Sequence, residues 1–336
     1  RGPSDVTEAP QTPSLRVALV GQRFMGRAHA NAWSQAPRFF DLPVAPELAV
    51  AIGRDAGSLE EFRRRWGFTA GSTDWAEAVV RKDVDLVDVV TPNDLHEGPA
   101  LAALEAGKLV ACEKPLAHTL KSARRMRDAA RAARDATGAR TFVWFNYRRC
   151  PAVALMHELV REGRIGDVLH VRGTYLQSWG GPEPPMLWRF DAERAGSGAH
   201  GDLNAHIVDM ARFVTGDELA AVDGAQERRF VDTRKGSDGA EHASTVDDVV
   251  SFLATFARGA TASFEASRLA PGHLNRNTLE VNGTSGSVRF DFEDMNDQGV
   301  KLGRGLALPP GWYAMGRPAQ SRDPNFNRLP MHDRLS

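Results

Sequence analysis

Asp202 and His206 are the first residues whose types and spacing suggest chemistry, in the stretch GSGAHGDLNAHIVDMARF. A separation of four residues places both side chains on one face of a helix, which we predict to begin near Leu203. A histidine has a pKa near neutral pH and suits the role of general base, while the aspartate would orient a hydroxyl group or tune that base. The alternatives are an ordinary surface pair and a metal site that includes His200. Because this spacing matches no strong zinc pattern, we expect no metal.

Lys114 is a second candidate, in the stretch CEKPLA that follows a predicted strand. Ligands of open α/β sheets bind beyond the carboxyl ends of the strands, and Lys114 lies at that edge. Pro115 fixes the turn and is compatible with a cis peptide bond before it. A lysine solvated in a loop is the alternative interpretation.

The turn GQRFMG carries two glycines at the spacing of a dinucleotide-binding turn. In G-x-G-x-x-G the first glycine permits the tight turn, the second lets the backbone approach the pyrophosphate, and the third lets the helix pack on the strand. Gly21 and Gly26 take the first and third positions, and Arg23 takes the second. An arginine is compatible with the site if its side chain points away from the phosphates. An ordinary strand-to-helix turn is the alternative, but the position after the first strand of a β-α-β series favours a nucleotide.

Gly53, Arg54 and Asp55 follow the second predicted strand, where a dinucleotide site recognises the adenosine ribose. An acid there accepts a hydrogen bond from the 2′-hydroxyl group of NAD, whereas an arginine accommodates the 2′-phosphate of NADP. Gly53 has no side chain, Arg54 would bind a phosphate, and Asp55 would bind a hydroxyl group. The pattern favours NADP slightly over NAD.

The first half of the chain alternates between strand and helix patterns. Its apolar runs fit buried parallel strands, and the connections are too long for hairpins. We predict strands at 15–20, 48–52, 84–90, 109–112 and 141–145, and helices at about 25–36, 58–66, 97–106 and 119–136, with a short helix capped by Asp74. The fold class is therefore α/β, with a doubly wound parallel sheet.

Local signals define two boundaries in this half. Pro37, Pro43 and Pro46 predict a loop around residues 39 and 40. Ser58, followed by Glu61 three residues later, predicts a capping box at a helix start, and Gly67 ends that helix.

The second half changes to strand patterns separated by tight turns. We predict strands at 168–177, 249–256, 260–267, 277–283 and 287–292, and helices at 151–163 and 203–214. This arrangement predicts an α+β domain with an open antiparallel or mixed sheet and helices on one face.

Composition excludes several classes of protein. The 336 residues carry a formal net charge of -1, which gives no overall field for nucleic acid. No apolar run approaches the roughly 18 residues of a membrane span. Cys112 and Cys150 are too few for a framework of disulfides and indicate a reducing compartment, so we expect the cytoplasm.

We divide the chain into four segments. These are a disordered extension at 1–14, a dinucleotide-binding Rossmann domain at 15–147, an α+β domain at 148–295 and an irregular tail at 296–336. The extension has charge and proline but no apolar signal core. The tail loses all periodicity, which suggests a truncated or frame-shifted end.

The set of motifs resembles the Gfo/Idh/MocA oxidoreductases. Besides the opening turn, CEKPLA and Asp202-x-x-x-His206, the chain contains TPNDLH at 91–96. FNYRRCPAVAL, RGTYLQSW, LWRF and APRFFDLP resemble the levoglucosan-dehydrogenase-like branch of that family. The resemblance covers about residues 15–295 and rests on the whole set of motifs.

The resemblance implies an NAD(P)-dependent dehydrogenase that transfers hydride between nicotinamide and a carbinol of a sugar, anhydrosugar or cyclitol. It implies that Lys114 contacts the reacting oxygen and stabilises its negative charge. Asp202 would orient the substrate and support proton transfer, and His206 would be the acid or base. The resemblance also implies that the α+β domain binds the substrate and that its open sheet forms a homo-oligomer.

The resemblance further implies two sets of binding residues. The cofactor-binding set, with the ribose contacts, would be Gly21, Arg23, Phe24, Met25, Gly26, Arg54, Asp55, Thr91, Pro92, Asn93, His96, Glu113 and Asn146. The substrate-binding set would be Tyr147, Arg149, Trp179, Trp188 and Arg189. Aromatic faces and forked donors suit a polyol.

Two departures from the family pattern bear on activity. Arg23 replaces a glycine that many members keep, and the tail is short where members continue with further strands and a helix. Two other functions of the fold are compatible with the motifs, a cofactor-retaining enzyme that cleaves glycosides by transient oxidation and a non-catalytic ligand-sensing regulator. Lys114, Asp202 and His206 argue against the regulator but do not separate dehydrogenase from glycosidase.

Overall fold

The structure is a computed structural model that describes residues 13–294 and 300–302. The chain forms two compact units, with the division between Trp144 and Phe145. The predicted extension, apart from residues 13 and 14, and the predicted tail, apart from the strand Val300–Leu302, lie outside the described residues. Among the described helices, none is both long and apolar enough to cross a membrane.

A parallel six-stranded sheet forms the first unit, in the order β3-β2-β1-β4-β5-β6. Its strands are β1 (Ser14–Val20), β2 (Ala45–Ile52), β3 (Ala70–Ser72), β4 (Leu86–Val89), β5 (Leu109–Cys112) and β6 (Thr141–Val143). The helices are α1 (Phe24–Phe39), α2 (Ala56–Trp66), α3 (Trp75–Ala78), α4 (Glu97–Glu105) and α5 (Leu120–Thr137). The predicted doubly wound α/β fold is confirmed. The strand order reverses between β1 and β4, which creates a crevice at their carboxyl ends.

Two prolines lie inside regular elements, and the predicted loop around them is wrong at these positions. Pro37 lies in the last turn of α1, where its missing N–H removes only one helical hydrogen bond. Pro46 lies in β2. The N–H of Ala45 donates to the carbonyl of Pro13, so the nitrogen of Pro46 faces the opposite side of the strand. Strand β3 lies on that side but pairs only with residues 50–52, so it does not extend as far as Pro46.

Helix α2 begins at Ala56 and not at Ser58 as predicted. The carboxylate of Asp55 accepts the N–H of Ser58 at 2.8 Å and caps the helix. An aspartate satisfies an N–H that would otherwise have no partner at the helix start, so the predicted capping box with Glu61 is wrong. Gly67 ends α2 with φ of 78°, as predicted.

A mixed seven-stranded sheet forms the second unit, in the order β15-β14-β13-β7-β12-β11-β8. The strands, with a separate ribbon of β9 and β10, are β7 (Val168–Leu176), β8 (Leu219–Arg228), β9 (Thr233–Lys235), β10 (Glu241–Ala243), β11 (Val249–Phe256), β12 (Thr261–Ser267), β13 (Arg276–Gly283), β14 (Gly286–Asp291) and β15 (Val300–Leu302). Strands β7 and β12 are parallel, and the other described neighbours are antiparallel. The predicted α+β domain with an open mixed sheet is confirmed.

Helices α6 (Pro151–Arg161) and α8 (Ala205–Thr215) share a buried core with the inner face of this sheet. A short helix, α7 (Ala192–Ala195), precedes a π turn at His200–Asn204 that leads into α8. Asp202 therefore lies in the π turn, and the prediction that it shares a regular helix with His206 is wrong. Such turns are frequent at functional sites because they redirect side chains from the helical spacing.

The sequence pattern does not predict β8, and it also misses the short strands β3, β9, β10 and β15. Strand β8 is an edge strand, and nine of its ten residues are exposed. With no buried face, its sequence shows no alternation between apolar and polar residues.

Candidate functional site

The turn after β1 has the backbone geometry that a dinucleotide-binding turn requires. Gly21 has φ of +122°, and a Cβ atom there would lie 2.9 Å from the Val90 side chain. A Cβ atom at Gly26 would collide with the carbonyl oxygen of Gly21. The two glycines therefore let α1 approach the end of β1 closely.

The start of α1 and the end of β4 offer unsatisfied polar groups on the two sides of the crevice. Arg23 is the exposed N-cap residue of α1, and no described side chain caps that end. Its first N–H groups can therefore bind an anion. Thr91 Oγ1 is buried and has no hydrogen-bond partner among the described residues. Phe24 is exposed and Met25 packs into the core. These residues fit a dinucleotide with its pyrophosphate at the helix start.

The predicted ribose contacts follow β2. Gly53 lies under the side chain of Gln22, which a Cβ atom at position 53 would overlap. Gln22 Nε2 donates to Ser58 Oγ at 2.5 Å. Arg54 and Asp55 are exposed, and Asp55 caps α2. The polar group nearest to position 53 is thus a neutral amide.

A buried cluster of charged groups joins α1, β4 and the end of β5. His29 Nδ1 lies 2.9 Å from Asp88 Oδ2, and His29 Nε2 lies 3.1 Å from Glu113 Oε1. Asp88 is fully buried and also accepts the indole N–H groups of Trp33 and Trp144, each at 2.8 Å. Burial lowers the pKa of His29, but the hydrogen bonds to the two carboxylates outweigh it and raise the pKa to about 9. His29 is therefore an imidazolium at neutral pH and donates to both carboxylates.

Glu113 connects this cluster to Lys114. Its second oxygen, Oε2, accepts the backbone N–H of Lys114 at 3.0 Å. The Lys114 side chain is half-buried, and the peptide bond to Pro115 is cis. The position of the predicted catalytic lysine thus depends on a carboxylate that His29 also holds.

His96 joins the loops that follow β4 and β5. Its Nε2 lies 2.9 Å from the carbonyl of Thr91, and its Nδ1 lies 3.1 Å from the carbonyl of Pro115. The ring is fully buried, and burial lowers its pKa despite these bonds. His96 therefore positions both loops. Its neighbours Pro92 and Asn93 are half-buried and buried.

In the second unit, Asp202 is paired with a buried arginine. Arg268 is 1% exposed, and its Nη2 donates to Asp202 Oδ2 at 3.0 Å. Its Nη1 donates to the carbonyl of Arg189 at 3.2 Å, and its guanidinium lies 4.9 Å from the ring centre of Trp179. Arg268 thus brings Asp202 together with two predicted substrate-binding residues.

Aromatic rings enclose the imidazole of His206. Tyr147 and Phe145 meet it edge to face, with ring centres 5.0 Å and 6.1 Å away, and Tyr175 lies at 5.9 Å. His206 itself is 8% exposed. These contacts hold the ring in one orientation, which a proton-transfer group requires.

A chain of hydrogen bonds runs from Tyr147 to Trp179. The hydroxyl oxygens of Tyr147 and Tyr175 are 2.8 Å apart, and Tyr175 donates to Asn275 Oδ1 at 2.7 Å. Gln177 Nε2 donates to the same oxygen at 2.6 Å, and Trp179 Nε1 donates to Gln177 Oε1 at 2.6 Å. Burial, and then the neighbouring Tyr147, raise the pKa of Tyr175. Tyr147, predicted as a sugar contact, is buried and belongs to this network.

Trp188, another predicted substrate-binding residue, packs in the same apolar cluster as Trp179. The guanidinium of Arg189 lies 4.4 Å from the ring centre of Trp188, and both side chains are half-buried. Asn146 and Arg149 are exposed in a 3-10 turn.

Within the described part of the chain, no three His, Cys, Asp or Glu residues are arranged to hold a metal ion. His200 is exposed, and its backbone N–H donates to Asp247 at 2.8 Å.

Sequence patterns do not identify His29, Asp88 or Arg268 as parts of the site. Asp88 has a recognisable signal, since it interrupts the apolar run LVDVV and a charge in a buried strand requires a partner. His29 and Arg268 have no such signal, because their partners are distant in sequence.

Comparison with known proteins agrees with this geometry. Residues 15–139 match an oxidoreductase family with an NAD-binding Rossmann fold, and residues 153–289 match the Gfo/Idh/MocA C-terminal domain. The chain belongs to the Gfo/Idh/MocA family of oxidoreductases. The predicted family is confirmed.

Within the Gfo/Idh/MocA family, the chain is similar to levoglucosan dehydrogenase. It is 41% identical to that enzyme of Pseudarthrobacter phenanthrenivorans over 294 residues, which cover 83% of this chain and 74% of the enzyme. A structure of levoglucosan dehydrogenase with NADH and levoglucosan gives a TM-score of 0.82 at 40% identity, covering 88% of this chain and 77% of that chain. An oxidoreductase domain protein from Kribbella flavida gives a TM-score of 0.82 at 46% identity, covering 90% and 84%.

The stability that His29 contributes to this Gfo/Idh/MocA oxidoreductase should fall as the pH rises. Its folded pKa of about 9 lies above the unfolded value of 6.5, so the folded protein binds the extra proton. The contribution is complete below about pH 6.5 and is lost as the pH rises through about 9. A shift of this size corresponds to roughly 3 kcal/mol of unfolding free energy. Denaturant unfolding of the wild type and of His29→Gln across this pH range measures it.

Glutamine keeps a donor for one carboxylate but does not titrate. The difference in unfolding free energy between the two proteins should therefore shrink with rising pH. A constant difference would contradict the assigned protonation of His29.

Arg268 and Asp202 should be energetically coupled. Arg268→Met should lower the free energy of unfolding by about 3 kcal/mol, because it leaves the Asp202 carboxylate without its buried cation. The cost should fall when Asp202→Asn is already present, with a coupling energy of about 1–3 kcal/mol. Urea unfolding of both single variants and the double variant measures this energy. The exposed pair Arg212–Glu218 is the control, with an expected coupling below about 1 kcal/mol. Equal coupling in the two pairs would contradict the role of burial.

Proposed function

We propose that the chain is an NAD(P)-dependent dehydrogenase that transfers hydride between nicotinamide and a carbinol of a sugar, anhydrosugar or cyclitol. The observation that carries the proposal is the pairing of Asp202 with the buried Arg268, close in sequence to an imidazole, His206, that aromatic rings enclose. A regulator would need no such fixed groups for proton transfer. The likeness to levoglucosan dehydrogenase supports an anhydrosugar or a related polyol as the substrate.

The first unit would hold the cofactor. The start of α1 would bind the pyrophosphate, and the turn glycines would admit the backbone to it. Thr91 would donate or accept a hydrogen bond through its buried hydroxyl group. When bound, the nicotinamide supplies the hydride chemistry.

The remaining chemistry is proton transfer and charge stabilisation. In oxidation, His206 would take the proton of the substrate hydroxyl group, and Asp202, held by Arg268, would orient that hydroxyl group. Lys114 would stabilise the negative charge that develops on the reacting oxygen. Trp179, Trp188 and Arg189 would contact the polyol.

We further propose that the enzyme forms a homo-oligomer through the outer face of the seven-stranded sheet. Within the described residues, α6 and α8 pack on the other face. A depression of about 560 Å³ on the outer face is lined by residues that include Arg172, Leu253 and Glu265. Leu253 is 57% exposed. Opposite charges on one self-complementary patch suit a two-fold interface between identical copies. Cys112 and Cys150 are free thiols, which suits a reducing compartment, so we propose the cytoplasm.

Activity should require Lys114 and His206. The assay is the reduction of NAD⁺ or NADP⁺, followed by absorbance, with levoglucosan and a panel of sugars and inositols. Lys114→Met and His206→Asn should each lower turnover by about 10²–10⁴ because a group that acts only in the transition state is lost. Cofactor affinity should stay within a few-fold of the wild type. Lys121→Met, on the exposed face of α5, is the matched control and should keep full activity.

Consumption of a glycoside without net reduction of added cofactor would refute the dehydrogenase in favour of a glycosidase. Ligand binding without any turnover would favour a regulator.

The oligomer should depend on the outer sheet face. Size-exclusion chromatography with light scattering should give a mass that is a multiple of 36.7 kDa. Leu253→Glu should shift the protein towards monomer, because it places a charge in an apolar contact. Leu120→Glu changes a leucine of similar exposure in the first unit and should leave the mass unchanged. A monomeric wild type would refute the oligomer.

A further inference from the structure

In dinucleotide-binding proteins, the side chain that follows the second strand contacts the adenosine ribose. Here Gly53 has no side chain, and Gln22 fills the space beside it. The three heavy atoms nearest to a Cβ atom built on Gly53 all belong to Gln22, first Oε1, then Cδ at 2.6 Å and Cγ at 3.3 Å. Any side chain at position 53 would displace this amide. The position of the Gln22 side chain therefore depends on a glycine at position 53, although 30 residues separate the two.

The amide nitrogen of Gln22 is hydrogen-bonded, whereas its oxygen is not. Its Nε2 donates to Ser58 Oγ at 2.5 Å. Its Oε1 is buried and has no hydrogen-bond partner among the described residues. Asp55 already uses one carboxylate oxygen to cap α2 through Ser58 N. Gln22 Oε1 is therefore an open acceptor beside Gly53, at the end of β2, where dinucleotide-binding proteins recognise the adenosine ribose.

An amide at this position behaves differently from the usual acid. A carboxylate accepts from the 2′-hydroxyl group of NAD and repels the 2′-phosphate of NADP. An amide carries no charge and has both acceptor and donor groups. It can accept from a hydroxyl group or, with its plane turned over while Ser58 donates to the oxygen, donate to a phosphate.

The surroundings of Gln22 carry positive charge. Gln22, Arg23 and Arg27 line a groove of about 490 Å³ that continues between α1 and α2. Arg64 and Arg65 line its other end, and Glu61 is the acidic residue in the lining. The Ser58 backbone N–H holds the pKa of Asp55 below its usual range, and nearby Arg23 adds to this effect. Arg23 follows Gln22 in the chain and lines the same groove, so its positive charge lies on the side of the site where a 2′-phosphate would bind.

We propose that Gln22 and Arg23 make the adenosine end of the site accept both NAD(H) and NADP(H). Gln22 recognises the 2′-hydroxyl group of one cofactor without repelling the 2′-phosphate of the other, and Arg23 attracts that phosphate. The inference rests on the proposed function, because it assumes that the crevice binds a dinucleotide.

Binding, measured by the fluorescence of NADH and NADPH titrated into the full chain, tests the proposal without any substrate. The wild type should bind both cofactors with dissociation constants within about tenfold of each other. Gln22→Glu should raise the dissociation constant of NADPH by at least about tenfold relative to that of NADH, because it restores the carboxylate that repels the 2′-phosphate. Arg23→Gln should weaken NADPH more than NADH. Circular dichroism checks that each variant is folded.

Arg64→Gln, at the far end of the same groove, is the matched control for a general loss of positive charge. It should leave the ratio of the two dissociation constants within about twofold of the wild type. A ratio unchanged by Gln22→Glu would overturn the role of Gln22, and an equal loss of both cofactors in Arg23→Gln would overturn the role of Arg23. Wild type that binds NADH but not NADPH would overturn this inference and leave the proposed function standing. Folded wild type that binds neither cofactor would overturn the proposed function itself.

Discussion

A charge that is removed from water must find a partner, and this constraint shapes both units of the molecule. In the first unit, Asp88 carries a carboxylate into a fully buried strand, where His29 and two indole N–H groups surround it. In the second unit, the buried guanidinium of Arg268 is matched by Asp202. The first pairing connects β4 to α1, and the second connects the end of β12 to the π turn before α8. The positions of those segments therefore follow from how the core packs.

The paired charges also order the groups that we propose for chemistry. Glu113 divides its two oxygens between His29 and the backbone of Lys114, so the loop after β5 is held by α1. Asp202 lies in a π turn and is held from the end of β12 by Arg268. Polar groups fixed before a reaction need little rearrangement during it, and this is a large part of catalysis. Removing a distant partner should therefore disturb the chemistry without touching a substrate.

At the nucleotide end of the first unit, a side chain of one loop fills the space beside a glycine of another loop. The turn after β1 lacks the middle glycine, yet its first and third glycines still permit the tight turn and the close helix. The residue before Arg23, Gln22, fills the space that Gly53 leaves empty. An expectation based on each loop alone assigns Gly53 no role. The geometry shows that its missing side chain leaves room for the neutral amide of Gln22.

The sequence by itself determined the fold class and most elements, because apolar periodicity and turn residues are local properties of the chain. It also located the two glycines, the turn of Lys114 and the family, because these depend on short motifs. Only the tertiary structure decided the features that depend on contacts between residues distant in the chain. Examples are the pairing of Arg268 with Asp202, the imidazolium of His29 between two carboxylates, the strand position of Pro46 and the exposed strand β8. A charge or an edge strand is stabilised by partners distant in the chain, and no local pattern encodes which partner that will be.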